Sequence, residues 1–113
     1  MTGAASFKLE IVNGVPVVEV IGEVDMTNSH ELEGLLDQAS RTGRSTVVVS
    51  LSGTTYLDSK GVRLLLRSAE RLGLIRQRLV IVAPDGSVPR RILEIAGGDT
   101  LPIFNSLDDA IRA

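Results

Sequence analysis

The sequence contains no cysteine, no tryptophan and a single histidine, His30. The missing thiols exclude disulfides, zinc–thiolate sites and thiol catalysis. One imidazole rules out a histidine-rich metal centre or a two-histidine mechanism, and no other metal-ligand spacing is present. The aromatic residues are Phe7, Tyr56 and Phe104, too few for a base-stacking platform. Charge of one sign is also lacking: 12 lysines and arginines face 14 acidic residues, for a net charge of −2. Nothing there attracts a phosphate backbone, so nucleic acid is not an expected partner. No apolar run approaches the length of a bilayer. Residues 1–6 hold no basic stretch leading into an apolar one, so no signal peptide is expected and the protein is placed in the cytoplasm, away from membranes. Gly22, Gly53, Gly61, Gly86, Gly97 and Gly98 form no phosphate-cradling loop, and no nucleophile elbow occurs. With Glu23 and Asp25 as the nearest approach to paired carboxylates, an enzyme is not expected, nor are a cofactor or a metal.

What the chain does have is a periodicity that switches back and forth. Its 113 residues suit one domain, 1–113, with an ordered core over about 6–112. Phe7 to Ile11 alternates apolar and polar, Asn13-Gly14 signals a hairpin, and Val15 to Ile21 returns as a second strand. Asn28 and Glu31 have the spacing of a capping box, opening a helix with Leu32, Leu35, Leu36 and Ala39 on one face. Thr46 to Leu51 is a β-branched run suited to a strand buried on both faces. A loop is expected over Ser52 to Leu57. Asp58 or Ser59 then caps a second helix with a buried stripe of Val62, Leu65, Leu66, Ala69 and Leu72, ended by Gly73. Arg78 to Val82 reads as a buried strand. A short helix from Ser87 to Ile95 is stopped by Gly97-Gly98, Leu101 to Phe104 forms a peripheral strand, and Ser106 with Asp109 opens a last amphipathic turn or two.

The order β-β-α-β-α-β-α-β-α predicts an α/β fold: a mixed, mostly parallel sheet with an antiparallel N-terminal hairpin and about four helices. Partners and ligands of such sheets meet the loops at the carboxyl ends of the strands. Gly22–Asn28 and Ser52–Gly61 are the loops that fall there.

Those loops also carry a resemblance. Gly22-Glu23-Val24-Asp25 before a capped helix, and Val48 to Gly53 followed by Tyr56-Leu57-Asp58-Ser59-Lys60-Gly61-Val62, resemble the two signatures of STAS domains. The element order fits from Phe7 to Ile111. The resemblance is to the short bacterial members, anti-sigma factor antagonists. It implies a partner, an anti-sigma factor with a kinase-like ATP-binding fold, whose capture frees a sigma factor for transcription. It also implies a switch: the partner phosphorylates a hydroxyl just before the glycine at the start of the second helix, and the antagonist is released. In this chain that position is Lys60, which has no hydroxyl, so the usual phosphorylation is not expected. Ser59, Thr54 and Thr55 are nearby hydroxyls outside the acceptor position, Ser59 being the possible substitute.

The partner-binding residues expected on this basis are Glu23, Asp25, Thr55, Asp58, Ser59, Lys60, Gly61, Leu64 and Arg67. Most of them have a plainer explanation. Asp58 and Ser59 serve as helix caps, worth about 1 kcal/mol each. Lys60 opposes the helix dipole by only some tenths of a kcal/mol, and a solvated lysine tolerates that. Gly61 in a first turn is unfavourable by about 1 kcal/mol, which close approach of another backbone would explain. At about 100° per residue, Lys60, Leu64, Arg67 and Arg71 share a stripe opposite Val62, Leu65 and Ala69, so Leu64 is expected to be exposed between cations. Single exposed leucines and solvated charge stripes are ordinary. His30 is expected on the exposed side of the first helix with Glu33 and Asp37. Two other functions remain open: a nucleotide or small-ligand module using Asp25, Thr54 to Lys60 and the start of the third helix, or a subunit of a transport or multi-STAS signalling assembly. A homodimer through the first hairpin or the third helix is compatible with the sequence.

Overall fold

The computed structural model describes residues 5–96 and 100–113. Its elements follow the expected order: β1 (Ser6–Val12), β2 (Val15–Val24), α1 (Ser29–Ser40), β3 (Thr46–Leu57), α2 (Ser59–Leu74), β4 (Arg78–Val82), α3 (Val88–Ala96), β5 (Ile103–Phe104) and α4 (Leu107–Arg112). The strands form one five-stranded sheet in the order β1-β2-β3-β4-β5. β1 and β2 are antiparallel, and every later pairing is parallel. The hairpin turn uses Asn13 and Gly14, both at positive φ, as an Asn-Gly turn demands.

The two faces of the sheet are covered unequally. Val18, Val20, Val47, Val49, Leu79 and Ile81 point to the side packed by α1, α2 and α3, with Leu32, Leu36, Leu65 and Leu93 among the helical contributions. Val17, Val48, Val80 and Val82 point the other way, where Ala110 and Leu107 of α4 meet them. The alternation explains why Thr46 to Leu51 reads as a continuous apolar run: both faces of β3 are buried there.

Several local expectations are corrected. Gly22 to Val24, expected in a loop, are the end of β2, and the segment from Ser52 to Leu57 is likewise not a loop but the second half of β3. Two register shifts let it follow β2: Glu19 faces Ser50 while Ile21 faces Gly53, and Gly22 faces Thr54 while Glu23 faces Tyr56. β3 thus holds an extra residue at each shift, and these bulges break the alternation that marks a strand. Gly53 fits closely, since a Cβ there would lie 3.0 Å from Cγ1 of Ile21.

Asn28 stands at the N-cap of α1 but makes no cap hydrogen bond, so the capping box with Glu31 does not form. α2 runs one residue beyond Gly73, and the left-handed residue after it is Arg76. The proposed stop at Gly97-Gly98 lies outside the described residues. Ser106 caps α4 as expected, accepting from the Asp109 N–H at 3.2 Å.

Candidate functional site

At the carboxyl ends of β2 and β3 the chain leaves the sheet twice, and one carboxylate joins the two exits. Asp58 is the N-cap of α2. Its Oδ1 accepts from the Gly61 N–H at 2.9 Å, which satisfies one of the free donors of the first turn. Its Oδ2 accepts from the Met26 N–H at 3.1 Å, across to the β2–α1 loop. The Asp58 N–H in turn donates to the Val24 carbonyl at 3.1 Å. Asp58 is therefore both a cap of α2 and a clip to the β2–α1 loop.

The β2–α1 loop is folded upon itself. Asn28 turns its side chain backward: Oδ1 accepts from the Asp25 N–H at 3.0 Å, and Nδ2 donates to the Glu23 carbonyl at 2.9 Å. This use of both ends of the amide displaces the cap that the sequence suggests. Asp25 Oδ1 accepts from the Thr27 hydroxyl and, at 2.9 Å, from the Thr27 N–H. The Thr27 hydroxyl first, and its N–H second, hold the Asp25 carboxyl below the ordinary carboxylate range. In β3, the buried Thr54 hydroxyl donates to the Val20 carbonyl at 2.8 Å, beside the first bulge.

This framework presents an exposed surface. Glu23 faces Tyr56 across the strand pair, and Glu23, Thr55, Tyr56, Ser59 and Lys60 are all exposed. No ion pair or hydrogen bond engages the Lys60 ammonium among the described residues. Met26 is 66% exposed beside them. Gly61 is buried, and a Cβ on it would stand 3.1 Å from Cγ1 of Val24. A side chain rather than a backbone makes the close approach, and glycine lets α2 begin tight against the end of β2. Arg67 is exposed two turns along α2. His30, Glu33 and Asp37 are exposed on α1 as expected.

Leu64 is the correction. It is 4% exposed and part of the core, not an apolar tip between cations. α2 packs against the sheet and also beside α1, to which Arg71 is bridged through Glu33 at 3.5 Å. Two neighbours widen the buried arc to include Gly61, Leu64 and Ser68. The exposed strip keeps Lys60, Arg67 and Arg71 and includes Arg63 and Glu70 instead of Leu64.

Two features escaped the sequence. Arg63 falls three residues after Lys60, a spacing that places it on the same side of α2. Beside it, a cleft of about 460 Å³ runs between the start of α2 and α3, lined by Tyr56, Ser59, Arg63 and Ile95 among others. Tyr56, one of three aromatic residues, could have drawn notice on that ground. Among the described residues, no group of acidic and histidine side chains is arranged to hold a metal ion. Among them, too, no helix is long and apolar enough to cross a membrane.

A family model of the STAS domain matches residues 6–110. The chain belongs to the STAS domain family. Among its relatives is the anti-sigma-F factor antagonist RsfB of Mycobacterium tuberculosis, 31% identical over 100 residues, spanning 88% of this chain and 80% of that protein. The crystal structure of an anti-sigma factor antagonist from Mycobacterium paratuberculosis is 32% identical, with a TM-score of 0.87 over 97% of this STAS chain and 93% of the other. The unphosphorylated form of the anti-sigma factor antagonist SpoIIAA, at 23% identity and a TM-score of 0.75, covers 94% of this chain and 93% of its own, and shares the fold.

Proposed function

We propose that this STAS protein is an anti-sigma factor antagonist, acting in the cytoplasm as a single binding domain and not as an enzyme. Its similarity to named antagonists along most of both chains carries that reading. The partner would be an anti-sigma factor with a kinase-like ATP-binding fold, and its capture would free a sigma factor. The docking surface is formed by Glu23, Asp25, Thr55, Ser59, Lys60 and Arg67, with Asp58 and Gly61 holding the two loops and the helix start in place. The clip from Asp58 to Met26 supports this, because it makes the β2–α1 loop and the start of α2 one surface.

Lys60 stands where the resemblance puts the phosphorylated hydroxyl. The protein is then a constitutive antagonist with respect to that kinase, controlled by its abundance or by another input. Incubation with ATP and its cognate anti-sigma factor, followed by intact-mass measurement, should leave the wild type unmodified. Lys60→Ser should gain one phosphate and lose its hold on the partner, since phosphorylation adds about 1.5 to 2 negative charges to a close-fitting surface. Stoichiometric phosphate on wild-type Ser59 would overturn the proposed constitutive behaviour.

A nucleotide module draws less support from the geometry. The Gly61 N–H, a donor that a phosphate at this helix start would need, is already held by Asp58.

A further inference from the structure

We infer that the cleft between α2 and α3 receives an apolar side chain flanked by a carboxylate from the protein partner, so that the docking face reaches across the domain to Ile95. The inference rests on the proposed function and names the chemistry of the segment that the antagonist would hold.

The cleft has an apolar floor of Leu57, Val62, Leu66 and Ile92, with Tyr56 and Ile95 at its sides. Those two side residues are unusually open to solvent: Tyr56 is 48% exposed and Ile95 81%. Isolated exposed apolar residues are unremarkable, but here two of them flank an apolar cavity. Asp58 and Ser59 line the same cleft. The cavity is thus continuous with the helix start and not a separate feature of the surface.

The charges around the cleft decide what kind of group fits. Lys60, Arg63 and Arg67 on α2 and Arg91 on α3 are exposed, and none of them forms an ion pair among the described residues. Of the nearby acids, Glu94 is held by Arg90 at 3.2 Å. The Asp58 carboxylate accepts from two N–H groups at the helix start. Glu23, opposite Tyr56, and Glu70, on the next turn of α2, are exposed and form no ion pair among the described residues, and none of these acids pairs with Arg63. Arg63, which lines the cleft itself, is therefore a free guanidinium beside an apolar cavity. An occupant with an apolar anchor and an adjacent Asp or Glu satisfies both, and the guanidinium can bind the carboxylate through two parallel N–H groups. Tyrosine and arginine around a central pocket are also the residue types that dominate protein–protein binding energy. Continuity with Ser59 favours a protein segment over a free small amphiphile.

The experiment uses the full chain and the ATPase-fold anti-sigma factor that it binds, titrated calorimetrically. Ile95→Asp and Arg63→Glu should each weaken binding at least tenfold, with thermal midpoints close to wild type because both side chains are exposed. Lys8→Glu, on β1, should bind as wild type. Because the chain has no cysteine, Ile95→Cys provides a single attachment point for a benzophenone maleimide. Photo-cross-linking should mark a partner peptide with Asp or Glu beside apolar residues. Wild-type affinity in both cleft variants, while Lys60→Glu abolishes binding, overturns the inference and leaves the antagonist function standing. So does a cross-link to a basic or wholly polar segment. Stabilisation of the wild type by decanoate, lost in Arg63→Glu while partner binding persists, replaces the protein segment with a small amphiphile. Failure of the folded protein to bind any such anti-sigma factor overturns the proposed function and this inference with it.

Discussion

At each end of the sheet a side chain bridges two neighbouring segments, and these two bridges differ in kind. At the carboxyl end, Asp58 joins the start of α2 to the β2–α1 loop through Gly61 and Met26. At the amino end, Gln77 joins the α2–β4 turn to the α1–β3 turn, its Nε2 donating to the Ser40 carbonyl at 2.8 Å and the Arg44 carbonyl at 2.9 Å. Gln77 is 8% exposed, neutral, and leaves its Oε1 buried without a partner. Asp58 is half-buried and charged, with Ser59, Lys60 and Met26 open around it. One bridge sits inside the structure and stabilises it; the other sits under a surface and shapes it. A buried polar clip costs more to remove, because the groups it satisfied lose water as well as their partner. A clip near solvent is cheaper to remove from the fold, and its loss is felt by whatever docks there.

The largest effect that separates the two ends is therefore expected at Gln77. Gln77→Ala takes the side-chain donor from the Arg44 carbonyl and leaves the Ser40 carbonyl with the Gly43 N–H at 3.3 Å, and should cost about 2 kcal/mol of stability in urea unfolding. The affinity for the partner should not change. Asp58→Ala should cost about 1 kcal/mol, the usual value of a lost N-cap, yet weaken partner binding more than Gln77→Ala does. Asp58→Asn refines the contrast. Its remaining oxygen can accept from one of the two N–H groups but not both, so stability and binding should fall part of the way. If Gln77→Ala reduced affinity as much as Asp58→Ala did, the division between an inner clip and a surface clip would be wrong.

The element order was legible because apolar spacing alternates cleanly between periods of about two and 3.6 residues. The start of α2 was legible because Asp58 has the chemistry of a cap and the helix follows at once. What was hidden depends on neighbours that a local window does not contain. Leu64 has the spacing of an exposed residue relative to the sheet, yet it joins the core, on a helix that packs beside α1 as well as against the sheet. The second half of β3 was hidden by its bulges: Ser52, Gly53, Thr54 and Thr55 have the composition of a loop, and only pairing with β2 makes them a strand. Asn28 was read forward as a cap, though its hydrogen bonds run backward to Glu23 and Asp25. The Met26 contact of Asp58 spans 32 residues and involves a backbone N–H, a group that no side-chain pattern reports.

The smallest expected effect also separates the ends, through pH. The Asp25 carboxyl is held below its ordinary range by the Thr27 hydroxyl and then by the Thr27 N–H. A carboxyl whose folded value lies below its unfolded one, about 4, contributes stability above the unfolded value. That contribution is lost as pH falls through the folded value. Thr27→Val removes the hydroxyl and keeps the N–H. The variant should be slightly less stable than wild type at pH 7, and the difference should shrink as pH is lowered from about 4, where protonation of Asp25 removes the charge that the hydroxyl was stabilising. Thermal midpoints across that range measure it. Gln77 carries no titrating group, so the deficit of Gln77→Ala should stay level over the same pH range. A Thr27→Val difference that also stayed level would mean that the hydroxyl acts by packing. The charged hold on the β2–α1 loop would then come from Asp58 through the Met26 N–H and not from the pairing of Thr27 with Asp25.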